Sequence, residues 1–126
     1  MRMPISVPLI VTTQIEGPAK TGMVHLVMDT GARYLTLGWS VAEDMGFDPA
    51  TSQNRVSLVT ANGIVHAPLI VAPRVRVGDV WVEDVEIVCH DIPQILPLVG
   101  LLGMSYLQQT KFTFDFKDGF FELIDP

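Results

Sequence analysis

Cysteine is nearly absent. Cys89 is the only one in 126 residues, so no intrachain disulfide can form and the redox compartment stays open. Cations are scarce as well: 8 Lys and Arg against 14 Asp and Glu leave a formal net charge of −6. Phosphate binding needs a basic surface, so nucleic acid is excluded as an expected partner. No apolar run approaches the roughly 18 residues of a membrane span. The stretch Met1–Val11 is too short and is interrupted by Pro4 and Pro8. No basic, apolar and small-residue order of a signal peptide opens the chain. The expectation is a soluble, cytoplasmic domain without a membrane partner, and a longer precursor carrying an anchor stays open.

Several chemistries are missing too. There is no Gly-x-Ser-x-Gly, no phosphate loop and no dinucleotide fingerprint. His25, His66 and His90 lack metal-ligand spacing and no Cys/His cluster exists, so neither a metal nor a cofactor is expected. Surface or strand-packing roles suit the three histidines.

What is present is apolar. Hydrophobic residues make up 48% of the chain and charged residues 17%, which favours a packed globular protein over disorder. A chain of this length suits one domain, here 1–126, with a core large enough to need no staples. The pattern is mainly one of short strands and turns. Pro8–Ile15 reads as a first strand, ended by Gly17-Pro18. Met23–Met28 is nearly all apolar, as expected of a strand buried on both faces, and it stops at Asp29. Tyr34–Leu37 reads as another strand. Ser40 and Glu43 have capping-box spacing for a short helix, with Val41, Ala42 and Met45 apolar and Gly46 closing the end. Asp48-Pro49 starts a polar loop.

Arg55–Thr60 and Ile64–Ala72 form an expected hairpin around Ala61-Asn62-Gly63, where Asn-Gly suits the positive φ of a type I′ turn. Arg74–Val77 and Val80–Cys89 form a second around Gly78-Asp79. Arg74 and Arg76 share one face of a strand, most simply a solvated one. Cys89 follows the apolar alternation of Val85 and Ile87 and reads as a core thiol. His90–Pro97 is a loop. Leu98–Gly103 reads as an apolar strand and Met104–Gln109 as one or two helical turns. Phe112, Phe114 and Phe116 fall on one face of the next strand, most simply core, and Asp118-Gly119 turns it into Phe120–Ile124. Trp39 and Trp81 are expected core or interface anchors. The sum is an all-β domain of eight or nine strands with two short helices.

Asp29 carries the chemistry. A carboxylate at the end of a buried strand is partly desolvated, which disfavours its charge, and a second carboxylate close by disfavours it further. Such a pair shares a proton, so one member can activate a water while the other protonates a carbonyl. Thr30 offers a hydroxyl to hold the loop, and Gly31 permits a tight turn. Asp-Thr-Gly alone is a weak signal, since an Asp at a strand end more often caps a turn. Its context strengthens it: an apolar strand before, Ala32 after, a hairpin tip about 30 residues on, and Leu101-Leu102-Gly103 running into a helix.

With these motifs the chain resembles the bacterial retropepsin-like aspartic proteases of clan AA, related in fold to retroviral proteases. Leu26–Ala32 resembles the active-site strand and loop, and Thr60-Ala61-Asn62-Gly63 the flap tip. Gly100–Leu107 resembles the apolar-apolar-Gly segment with its helix, and Phe114-Asp115 through Phe120–Leu123 the closing strands. The likeness spans Pro8 to Leu123 in the family's order. It implies a closed β-barrel, a catalytic Asp29, a Thr30 that braces the loop across a dimer, and residues from Thr60 to Ile64 that fold over an extended polypeptide. Arg33 departs from the pattern, where a small or polar residue is expected. The tip is also less glycine-rich than in retroviral enzymes.

One Asp-Thr-Gly per chain is half of what the mechanism needs, because Asp115, Asp118 and Asp125 lack the Thr-Gly context. A homodimer would supply the second Asp29 across a twofold axis. The function implied is aspartic endopeptidase. A catalytically silent dimerisation or peptide-binding module of the same fold is the alternative, and a purely structural barrel a third.

Overall fold

The computed structural model describes residues 1–92 and 98–125. Ten strands dominate. They are β1 (Arg2–Pro4), β2 (Ile10–Glu16), β3 (Thr21–Met28), β4 (Leu35–Leu37), β5 (Arg55–Thr60), β6 (Gly63–Val77), β7 (Val80–Cys89), β8 (Gly100–Leu102), β9 (Lys111–Asp115) and β10 (Phe120–Ile124). Two short helices, α1 (Trp39–Asp44) and α2 (Met104–Leu107), and a 3₁₀ turn at Pro49–Thr51 complete the described elements.

Six strands close a mixed barrel in the order β2-β3-β8-β4-β7-β6, with β6 returning to β2. The β3–β8 and β4–β7 pairs are parallel and the remaining barrel pairs antiparallel. Closure removes the open edges that would otherwise template aggregation. Alternation in β2 sends Val11, Thr13 and Ile15 inward, where they meet Leu26, Leu35, Val75, Ile87 and Leu102. Each fully buried aliphatic side chain contributes about 1.5–3 kcal/mol of hydrophobic stabilisation, which makes this interior the main source of stability. Among the described residues every buried side-chain polar atom has a partner.

β5 lies outside the barrel and pairs with β6 alone, from Arg55↔Pro68 to Thr60↔Gly63, forming the hairpin arm expected from the sequence. Beyond Pro68 the same strand pairs with β7 and then with β2. Ile64–Ala72 and Arg74–Val77, expected as strands of two separate hairpins, meet at Pro73, which cannot donate to a ladder. The strand instead runs through. Pairing lapses between Ala72↔Val85 and Arg74↔Glu83, where Pro73 lies opposite Asp84, which takes a φ of 52°. At the hairpin tip only Gly63 has positive φ, at 110°, so Asn62 does not make the expected type I′ turn.

β3 is not buried on both faces. Val24 and Leu26 point inward, while Met23 is 59% exposed and His25 faces solvent, because the sheet covers one side only. α1 begins from Gly38 without a side-chain cap, so Ser40 and Glu43 form no capping box, although Gly46 closes its end at φ 94°. β9 carries Phe112 and Phe114, half-buried at the margin of the core, and Phe116 beyond it is 74% exposed, so this stripe is not core. β1 was not anticipated. It pairs with β10, which pairs with β9, in a separate three-stranded sheet. Arg74 and Arg76 lie on the outer barrel face as expected. Arg74 is bonded to Glu16, Arg76 to Gln14, and both guanidiniums lie over the ring of Trp81. Cys89 is buried and free. Pro93–Pro97 of the expected His90–Pro97 loop falls outside the described residues.

Candidate active site

β3 ends at Met28, paired with Leu102 of β8, and this pairing delivers Asp29 to the barrel rim. The Asp29 N–H donates to the Leu102 carbonyl at 3.0 Å, extending the ladder by one residue. The chain then reverses. Gly31 N–H donates to Asp29 Oδ1 at 2.8 Å, and Ala32 N–H donates to the Asp29 carbonyl at 3.2 Å. A carboxylate oxygen is thus held by its own loop, in the manner of an Asx turn.

The loop rests on the start of α2. Met104 N–H donates to the Ala32 carbonyl at 2.8 Å. Gly103 makes this approach possible, since a Cβ there would stand 2.2 Å from the Tyr34 carbonyl oxygen and 2.7 Å from that of Ala32. Ser105 ties the far side: its Oγ accepts the Leu35 N–H and donates to the Glu86 carbonyl. The Leu-Leu-Gly segment and its helix therefore hold the Asp-Thr-Gly loop mainly through main-chain contacts.

Two hollows meet at Asp29. The larger, about 680 Å³, is a cleft lined by Asp29, Gly31, Ala32, Arg33, Tyr34 and Thr36 on one side, by Val56–Thr60 of β5 on another, and by His90, Ile92 and Leu101. This volume lies within the range of ligand sites, roughly 300–1,000 Å³. The smaller, about 530 Å³, is lined by Asp29 and Thr30, by Ile5, Ser6, Val7, Leu9 and Met28, and by Phe112, Phe114 and Phe116. Asp29 is half-buried, while Thr30 and Gly31 are exposed.

The structure brings together most of the residues expected at the site. Asp29, Gly31, Ala32 and Thr60 line one cleft, and Thr30 faces the other hollow. Ala61, Asn62, Gly63 and Ile64 form the exposed tip of the hairpin and do not line the cleft. Its β5 arm does so instead. His90 and Arg33 also belong to the cleft. For His90 the sequence suggests only a surface or strand-packing role, because nothing in the local pattern shows that the end of β7 reaches the Asp29 rim. His25 shares a hydrogen bond with Thr12 on an exposed strand face away from the cleft, while His66, which does not line the cleft, shares one with Ser57, which does. Among the described residues no group of three or more His, Cys, Asp or Glu is arranged to hold a metal. No helix of the described residues is long and apolar enough to cross a membrane.

Comparison with known proteins agrees with this architecture. The family model described as "Aspartyl protease" matches residues 11–106, from β2 through α2. An uncharacterized protein in the cobV 5′ region of Sinorhizobium sp is 29% identical over 84 residues, 67% of this chain. The aligned part is 35% of that relative, so the chain spans about a third of its length. The crystal structure of a retropepsin-like aspartic protease from Rickettsia conorii superposes with a TM-score of 0.73 at 21% identity, covering 98% of this chain and 88% of the other. That last likeness is one of fold. The match across the barrel, the loop and the helix beneath it carries the conclusion: the chain belongs to the aspartyl protease family and has the retropepsin-like fold.

Proposed function

We propose that this chain is an aspartic endopeptidase, a single domain of residues 1–126 that forms one half of a homodimer. The observation that carries the reading is the position of Asp29, the residue common to both hollows. One hollow has the size and the strand-lined wall suited to an extended peptide, and the other offers an apolar surface beside the loop.

In the proposed dimer a second copy covers the hollow beside Thr30. Val7 and Phe116 are 89% and 74% exposed in the single chain, and burying such side chains favours association. A twofold axis there would bring two Asp29 side chains together, and the pair would share one proton because two adjacent carboxylates resist double ionisation. The ionised member takes a proton from water as the water oxygen bonds to the scissile carbonyl carbon. The protonated member gives its proton to the carbonyl oxygen. Collapse of the resulting diol breaks the C–N bond, and the nitrogen leaves with a proton. Main-chain groups of β5 would hold the peptide as an added strand. At the tip, Val59 and Ile64 are 87% and 67% exposed and supply an apolar lid over it.

The test is incubation with a diverse peptide mixture from acidic to neutral pH, beside an Asp29→Asn control. Cleavage by the wild type alone supports the enzyme. Binding without cleavage by either protein would mark a silent peptide-binding module.

A further inference from the structure

Arg33 lies in the cleft with Asp29, and its charge is uncommitted. The guanidinium carbon stands 5.6 Å from the centroid of the Tyr34 ring, within cation–π range. Among the described residues no carboxylate lies within ion-pair distance of it, and it makes no hydrogen bond to another side chain. Arg2 pairs with Glu122, Arg74 with Glu16 and Arg76 with Gln14. Arg55 is exposed too, but it does not line the cleft.

The charge balance of the cleft is also distinctive. Asp29 is the one carboxylate among its described lining residues, and Arg33 the one permanent cation. In a dimer whose two Asp29 side chains share a proton, a single negative charge faces two guanidiniums. The cleft is then locally positive on a chain whose formal net charge is −6. A guanidinium offers five N–H donors in a fixed plane that matches a carboxylate in two-point contact. The ring beneath it limits the orientations it must give up on binding.

We infer that Arg33 is a specificity-determining residue that selects polypeptides carrying a carboxylate, as a Glu or Asp side chain, near the scissile bond. This rests on the reading of Asp29 as the catalytic residue. Ser57, Thr60 and Thr36 add hydroxyls to the same walls but no opposing charge, so among the described lining residues only the catalytic pair repels an acidic side chain.

The experiment uses matched, end-blocked peptides that differ only in Glu, Gln or Lys at each position flanking a cleaved bond, with one Gln peptide left with a free C-terminal carboxylate. Cleavage is followed with wild type, Arg33→Lys, Arg33→Gln and Arg33→Glu, and binding of the same peptides with Asp29→Asn and with Asp29→Asn combined with Arg33→Gln. The expected result is a preference for Glu over Gln of about tenfold or more in kcat/KM, the size of one charge-assisted contact. It is lost in Arg33→Gln, partly kept in Arg33→Lys and turned toward Lys in Arg33→Glu. If only the free-terminus peptide gains from Arg33, the carboxylate selected is a chain end and the side-chain assignment is overturned. Cleavage with no acidic preference, or with one unchanged in Arg33→Gln, overturns the inference and leaves the protease reading standing. Absence of cleavage with Arg33-dependent binding of Glu peptides overturns the protease reading and supports the acidic subsite. Absence of both overturns both.

Discussion

The hydroxyl of Ser105 accepts the backbone N–H of Leu35 at 2.8 Å, although 70 residues separate them, and donates to the Glu86 carbonyl at 2.7 Å. One buried side chain thus joins α2, β4 and β7 behind the Asp29 loop. Ser105→Ala removes both bonds and leaves the buried Leu35 N–H without its partner, with an expected cost of about 1–3 kcal/mol. Urea denaturation at constant m-value checks this. An unchanged midpoint would mean that water replaces the hydroxyl.

Asp29→Asn keeps the size of the side chain and the Gly31 N–H···O bond while removing the acid–base group. Peptide cleavage is expected to fall by at least about 10²–10⁴-fold with little change in melting temperature. Residual cleavage near the wild-type rate would place the chemistry elsewhere.

Gly103→Ala forces a methyl group against the Tyr34 and Ala32 carbonyl oxygens, and Gly100→Ala places one 1.8 Å from the Thr36 carbonyl oxygen. Main chain must shift in both, at an expected cost of about 1–3 kcal/mol each. The two separate by function: Gly103→Ala moves the Asp29 loop, so its cleavage rate falls further than that of Gly100→Ala at equal folded fraction. Denaturation curves together with activity per folded molecule make the comparison.

Alkaline pH weakens the fold. Burial, aided by the charges of Glu43 and Asp91, pushes the Cys89 thiol from its ordinary 9.0 to about 12. Burial likewise raises the Tyr106 phenol, whose hydroxyl donates to the Val80 carbonyl at 2.8 Å. Both are acids that the folded state holds neutral. Below pH 9 the thiol is protonated in both states and contributes no slope. Between 9 and about 12 the unfolded chain releases its thiol proton and the folded chain does not, so stability falls as pH rises. The limit is about 1.4 kcal/mol per pH unit for one such group. Denaturation midpoints across the alkaline range should fall less steeply in Cys89→Ala than in wild type.

If Phe116 and Val7 are covered by a second copy, Phe116→Asp weakens the pair twice over by symmetry. The dissociation constant is expected to rise at least about tenfold, and activity at low concentration to vary with the square of protein concentration. Sedimentation beside a dilution series measures both. An active, strictly monomeric wild type would refute the paired site.

Local signals were the legible ones. Asp29 at the end of an apolar run, Asn62-Gly63 near a hairpin tip and Gly46 at a helix end each depend on neighbours within a few residues. What escaped depends on distant partners. β1 pairs Arg2 with Glu122, and nothing within Met1–Pro8 announces a strand whose ladder comes from the far end of the chain. An apolar run cannot say which neighbours the sheet supplies, so Met23 lies exposed on the outer face of β3 where burial on both faces is expected. Phe112, Phe114 and Phe116 alternate as a core stripe would, yet Phe116 is left in the open. His90 reaches the cleft only through closure of the barrel.

β6 runs from the hairpin tip to the base of the barrel as one strand. Ala72, Val75 and Val77 on its lower part face the interior, and Gly63 to Pro68 on its upper part form half of the hairpin. One residue inserted below Pro68 would turn those inward side chains toward solvent. An extra residue at the apex near Asn62 leaves that register untouched, so the reach of the hairpin and the packing of the barrel are set by separate stretches of one strand.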